Sequence, residues 1–221
     1  QAEDGIRDSV ASRGLGDVYK RQMLDYTKRA ENYDKRWQHY CLPSFSKPLQ
    51  ILDLKEDSSL LDVGCGTGIF LEILEKKFPL TKFSGLDPNQ AMLAKASEKL
   101  SSNVHLKIGN AESLPHDSQS FDWVVLSNCF GHINKQETAL SEAHRVLRKS
   151  GKIIITDWTR DFLAMRIVNF YTQLFDDAGY KSLKSFETTA MLEKLHFKCL
   201  SVESYKINWF WGLYTILGAK R

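Results

Sequence analysis

From residue 59 onward the chain alternates short apolar runs with stretches whose apolar side chains recur every three or four positions. Ser59–Val63 is a short buried run and predicts a strand. Ile69–Phe78, with Ile69, Phe70, Ile73 and Leu74 on one side, predicts a helix that ends before Pro79. The alternation then repeats. Lys82–Leu86 reads as a strand, Asn89–Leu100 as a helix and Val104–Ile108 as a strand. Phe121–Ser127 is a strongly apolar strand, and Lys135–Arg148 is a helix with Leu140, Ala143 and Leu147 on one face. Gly151 stands where a helix C-terminal glycine is expected, and the isoleucine-rich Lys152–Asp157 predicts the next strand. Phe162–Ala178 and the shorter Thr188–Leu195, with Thr188 as its cap, predict two more helices. Residues 198–220 predict two strands around Trp209–Gly212.

Ahead of this alternation, residues 24–54 place Tyr26, Tyr33, Trp37 and Tyr40 at helix-like spacing, interrupted by Pro43 and Pro48. Strands alternating with helices of this length imply an α/β fold: a doubly wound, mostly parallel sheet covered on both faces. Ligands on such sheets sit beyond the carboxyl ends of the strands, near the switch point. A glycine-rich turn after the first strand, Asp87, Asn110 and Ser127 all fall at such ends.

Composition narrows this further. Residues 1–22 read as a translated sequencing adapter and are expected to be disordered. Both Gln1–Asp8 and the stretch Ser12–Gln22 match adapter DNA, an identification that rests on the underlying DNA and not on protein physics. Met23 is then the expected start, and 23–221 suits one domain with a helical segment, 23–54, in front. The formal charge of +3 is too small to argue for nucleic acid. No apolar stretch approaches the ~18 residues a membrane span needs. Cys41, Cys65, Cys129 and Cys199 are scattered and lack Cys-x-x-Cys spacing, which predicts reduced thiols of a cytoplasmic protein and no metal centre.

The chemistry concentrates at Leu60-Leu61-Asp62-Val63-Gly64-Cys65-Gly66-Thr67-Gly68. Glycines at alternate positions let the backbone turn tightly and let a ligand approach closely. A dinucleotide loop reads Gly-x-Gly-x-x-Gly. Counted from Gly64, its third glycine position is Ile69; counted from Gly66, it is Leu71. A phosphate loop would end in Gly-Lys-Ser/Thr, and here Gly68 is followed by Ile69-Phe70. Asp62 stands just before the first glycine, where an acid suits a cationic ligand better than a diphosphate. Asp87, about 20 residues on, is placed to accept both hydroxyls of a ribose. The register and Asp62 therefore point to S-adenosylmethionine; a nicotinamide dinucleotide would use Asp87 in the same way.

Downstream, Asn110-Ala111-Glu112-Ser113-Leu114-Pro115 and then Phe121-Asp122 complete a pattern that resembles the class I S-adenosylmethionine-dependent methyltransferases, most closely the type-11 group that includes the ubiquinone/menaquinone methyltransferases. The resemblance covers roughly 58–158. It implies a seven-stranded sheet with an antiparallel last strand. It also implies that Asn110 and Ala111 meet the adenine with Glu112 close by, that Thr67 lies near the methionine moiety, and that Ser127 lies beside the sulfonium. Gly64, Cys65, Gly66 and Gly68 complete the cradle, with Asp62 on the ammonium side. Residues 142–151 resemble the family's helix and turn before the fifth strand, with Ser150 and Lys152 where the family usually has Pro and a second Gly. Tyr26, Tyr33 and Trp37 lie on what the resemblance suggests is a lid; ordinary packing of an amphipathic helix is the other reading.

The expected activity is in-line methyl transfer to a small-molecule acceptor. Two residues are candidate acid–base groups. His132 follows the fourth strand and either deprotonates substrate or orients the loop. Asp157 ends the fifth strand and is either a substrate-binding acid or a partly solvated loop acid. Cys65 reads as a small packed residue more than a nucleophile, and Asp122 as a structural acid. Trp209, Phe210 and Trp211 form either an aromatic strand-end cluster or an apolar wall or tip that touches a membrane. Two rivals remain from the residues alone: a non-catalytic S-adenosylmethionine-binding protein and a nicotinamide-dependent oxidoreductase. RNA is disfavoured as a substrate, because Ser127-Asn128-Cys129-Phe130-Gly131 is not the Asn/Asp-Pro-Pro-aromatic motif.

Overall fold

The computed structural model describes residues 26–28, 30–175 and 180–221. The reading of 1–22 as adapter therefore lies outside the described residues, as does the predicted end of the long helix at Ala178. After a 3-10 turn at Ala30–Asn32, helices α1 (Tyr33–Ser44) and α2 (Ser46–Ile51) lie in front of the sheet. Pro43 falls in the last turn of α1, and the two helices part at Phe45. The alternating part follows: β1 (Ser59–Val63), α3 (Ile69–Lys77), β2 (Lys82–Asp87), α4 (Gln90–Lys99), β3 (His105–Ile108), β4 (Phe121–Ser127), α5 (Gln136–Val146), β5 (Leu147–Trp158), α6 (Leu163–Phe175), α7 (Ser185–Lys194), β6 (Phe197–Lys206) and β7 (Gly212–Lys220).

The seven strands form one sheet in the order β3-β2-β1-β4-β5-β7-β6. The first five pair in parallel, and β7 is antiparallel to both β5 and β6. Strand order reverses direction between β1 and β4, so the crevice for a ligand opens at their carboxyl ends.

The continuous apolar runs of the central strands divide by alternation. Leu61, Val63, Val124, Leu126, Ile153 and Ile155 face one core, closed by Leu140 and Ala143 of α5, Leu192 of α7, and Phe197. Leu60, Trp123, Val125 and Ile154 face the other, closed by Phe70, Leu71 and Leu74 of α3 and by Tyr40 and Phe45. A strand buried on both faces needs apolar side chains at every position, which is why these segments read as solid runs. Burying Leu71 and Leu74 fully contributes about 1.5–3 kcal/mol each.

Two predicted boundaries are corrected. The helix expected to reach Arg148 ends at Val146, because Leu147 already pairs with Phe121 as the first residue of β5. Gly151 is therefore inside a strand and is not a helix cap; the left-handed residue of that turn is Ser150, at φ 62. Thr188 does not cap its helix. Lys184 occupies the N-cap, and Thr188 lies buried in the first turns, sharing a hydrogen bond with the Tyr214 hydroxyl.

Candidate active site

The turn after β1 is built by left-handed glycines. At Gly66, φ is 54, and a Cβ there would meet no protein atom within 4 Å. Backbone is thus exposed to open space, as a ligand lying against it requires. Gly68, at φ 78, starts α3, and a Cβ there would come within 3.0 Å of the Ala96 Cβ. Its role is close packing of α3 on α4, and it lines neither of the cavities described below.

Two carboxylates converge behind this turn. Asp87, at the end of β2, accepts hydrogen bonds from the Gly66 amide at 2.9 Å and the Asn89 amide at 2.8 Å. Burial raises its pKa to about 6, although both amides oppose the rise. Asp62, on the neighbouring strand, is 2% exposed. Burial, and then the negative charge of Asp87, raise it to about 7. Two acids held near neutrality at adjacent strand ends, with no lysine or arginine among the residues lining either cavity, suit a cationic ligand and oppose a diphosphate.

Two cavities meet across this turn. The larger is a cleft whose empty space, partly open to solvent, amounts to ≈ 890 Å³, the size of a small-molecule site. Gly64, Gly66, Asp87, Asn110, Ala111, Glu112 and His132 line it, with Tyr26 and Tyr33 from the front segment. The smaller is lined by Asp62, Gly64, Cys65, Gly66, Thr67 and Ser127 beneath Tyr33 and Phe45. Ser127 is buried, and its hydroxyl has no hydrogen-bond partner among the described residues. A buried hydroxyl without a partner at a strand end suits a site that hydrogen-bonds a polar ligand.

Each wall has a structural cause. The loop carrying Asn110 and Ala111 is braced from α5: Glu142 accepts the Leu114 amide at 2.8 Å, while Arg145 binds Glu142 and donates to the carbonyls of Leu114 and His116. At the far edge of the sheet, away from the cavities, the starts of β1 and β4 are locked where Asp122 accepts from the Ser59 amide and hydroxyl and from Arg148. The front segment is tied down at Asn89, whose side chain caps α4 and donates to the Thr27 hydroxyl. Tyr40, in α1, donates to Asn128 at 2.7 Å and accepts the Trp158 indole N–H. The Tyr26 hydroxyl lies 3.1 Å from His132 Nε2.

The structure thus gathers Asp62, Gly64, Cys65, Gly66, Thr67, Asp87, Asn110, Ala111, Glu112, Ser127 and His132 around one pair of cavities. Asp157 is corrected. It is 2% exposed, which excludes the partly solvated loop acid, and it lines neither of the two cavities above. It accepts from the Gly131 amide and from the Tyr180 hydroxyl, both at 2.8 Å, and so fixes the turn that carries His132. The thiols of Cys65 and Cys129 are pushed up by burial, which keeps them protonated and unreactive. Sequence reasoning missed Asp34, Asn89, Met92, Asn128, Cys129 and Ile133. Asn128 carried a signal: it directly follows an apolar strand and adopts φ 58, a region asparagine enters more readily than most residues.

Comparison with known proteins points the same way. Residues 61–155 match the family model described as "Methyltransferase domain". The chain is 35% identical over 114 residues to the ubiquinone/menaquinone biosynthesis C-methyltransferase of Campylobacter jejuni, a match covering 49% of this chain and 48% of that protein. It is 27% identical over 177 residues to the protein of the same name from Rhizobium meliloti, covering 72% and 67%. The chain thus spans about half the length of the Campylobacter relatives it matches. Among solved structures, a SAM-dependent methyltransferase of Thermotoga maritima superposes with a TM-score of 0.74 at 20% identity, over 89% of this chain and 98% of that one. A phosphoethanolamine N-methyltransferase of Haemonchus contortus, bound to phosphomonomethylethanolamine and S-adenosylhomocysteine, gives 0.73 at 16% over 90% and 60%. At these identities the structures speak to the fold.

Proposed function

Residues 61–155 are a methyltransferase domain of the class I, type-11 group, and from that premise we propose that the chain transfers a methyl group from S-adenosylmethionine to a small-molecule acceptor. One observation carries the reading: Asp62 and Asp87, buried at neighbouring strand ends, flank a turn whose Gly66 backbone faces open space. That donor set fits a ribose diol joined to a cation. It does not suit a nicotinamide dinucleotide, whose two phosphates would meet carboxylates and no base.

S-adenosylmethionine, when bound, supplies a methyl group already activated on sulfur. Asp87 accepts the ribose hydroxyls, and Asn110 with Ala111 holds the adenine. Asp62 faces the ammonium side. Ser127 and Thr67 line the methionine end, and Ser127 gains the hydrogen-bond partner it lacks. Tyr26 and Tyr33 cover the cleft, exclude water and help align the acceptor. His132 takes the acceptor's proton where there is one to lose, and its contact with Tyr26 ties that role to closure of the front segment. Four free thiols support a reducing compartment, the cytoplasm.

Calorimetry with S-adenosylhomocysteine, NAD and NADP tests the cofactor. Tight binding of the first alone is the expected result, and the reverse order would sink the proposal. Radiolabelled methyl transfer into a metabolite extract then separates turnover from binding alone; labelled product is expected.

A further inference from the structure

Among its described side chains, helix α6 turns several large apolar groups outward. Its inward positions Met165 and Asn169 are 0% and 8% exposed, while Leu163, Ile167 and Phe170 face outward at 72%, 53% and 60%. An amphipathic helix on a soluble domain normally turns its apolar stripe to the core. A row of large apolar side chains directed outward marks an interaction surface.

Two other exposed apolar side chains lie at the same end of the fold. Asp161, just before α6, accepts from the Ser204 hydroxyl and the Ser185 amide, which ties the helix start to β6 and α7. Phe162 packs so tightly on Gly212 that a Cβ there would lie 2.2 Å from its ring. The β6–β7 hairpin and the first turn of α7 therefore share one end with α6, and they present Trp209 at 85% and Phe186 at 62% exposure. That end is the carboxyl edge of the sheet, where both cavities open. β5 leads into α6 there, and β6, parallel to β5 through their common partner β7, ends there too.

Charge selects the occupant. Arg166 stands within the exposed stripe of α6, and α6 carries no acid. Lys184 lies 5.6 Å from the Phe186 ring centroid and Lys206 lies 5.5 Å from that of Phe162. Among the described residues the nearby acids are engaged: Glu187 with Arg160, Glu203 with Lys47, and Asp161 with the groups above. An exposed indole, an apolar stripe and a basic rim together fit the headgroup and upper acyl region of an anionic bilayer. We infer that this face docks on an anionic phospholipid surface, bringing the cavity mouth to the membrane.

The full chain is mixed with vesicles of phosphatidylglycerol and phosphatidylcholine, or of phosphatidylcholine alone, and sedimented. Binding to the anionic vesicles that weakens with added salt, together with a blue shift of tryptophan emission lost in Trp209→Ser, is expected. The double variant Ile167→Glu, Phe170→Glu should lower that binding at least about tenfold while its circular dichroism and S-adenosylhomocysteine affinity match wild type, which separates this inference from the proposed activity. Absence of vesicle binding would overturn it. So would a wild-type dimer in ultracentrifugation that the double variant converts to a monomer, because a second copy would then cover the face.

Discussion

Asp34, in the first turn of α1, accepts a hydrogen bond from the Thr67 hydroxyl in the glycine turn. The same carboxylate pairs with Lys99 at the end of α4. One side chain of the front segment therefore clamps the glycine turn and the end of α4 together.

Replacing Asp34 with alanine should speed release of S-adenosylhomocysteine several-fold and leave the melting temperature nearly unchanged. The pair is partly exposed, so its net worth is about 0.2–1 kcal/mol. Stopped-flow displacement measures the rate, and an unchanged rate would remove Asp34 from the clamp.

Asp87→Ala removes the acceptor of the Gly66 amide and the proposed acceptor of the ribose. Affinity for S-adenosylhomocysteine should fall by about 1–3 kcal/mol, the scale of a charge-assisted hydrogen bond. Wild-type affinity in the calorimeter would count against the ribose assignment.

The two raised carboxyls set a pH dependence. Asp62 at about 7 and Asp87 at about 6 both lie above the ordinary 3.8. The folded chain therefore binds more protons than the unfolded chain between about pH 4 and pH 7, and stability without ligand falls as pH rises through that window. An ammonium beside Asp62 favours its ionised form, so ligand binding should expel a proton and tighten from about pH 6 to pH 8. Thermal melts with and without S-adenosylhomocysteine across that range should show the ligand-induced shift growing with pH; a flat shift would separate Asp62 from the ammonium.

His132→Gln tests the base. With an acceptor that must lose a proton, turnover should drop by about 10²–10⁴-fold, with S-adenosylhomocysteine affinity intact. Undiminished turnover would leave His132 as an orienting residue.

Tyr40→Phe deletes a buried hydroxyl that serves both Asn128 and the Trp158 indole. Leaving those groups unpaired should cost about 1–3 kcal/mol, read from urea denaturation. No loss would mean that the two groups find other partners.

The central strands were legible because burial on both faces demands solid apolar runs: Ser59–Val63 and Phe121–Ser127 were read with their observed bounds. The end of α5 was not. Leu147 continues the helical stripe, and only the neighbouring Phe121 makes it a strand residue. Thr188 looked like a cap by type, yet its hydroxyl meets Tyr214 across the fold. In the site, glycine spacing and strand-end acids named one half of the wall. Cys129 and Asp34 carry no local pattern that marks them, since Cys129 lines the cleft and Asp34 reaches the glycine turn only because distant segments pack there.

By itself the sequence determined the alternation of elements, the turn that bares the Gly66 backbone and the acid at the end of β2. These follow from residue type and short-range spacing, on which backbone freedom and strand period depend. Only the tertiary structure decided that Asp157 turns inward to hold the His132 turn, that Asp62 and Asp87 share enough buried field to stay near neutrality, and that the apolar stripe of α6 faces out. Burial, electrostatic coupling and exposure depend on what packs against a residue, and those neighbours lie far along the chain.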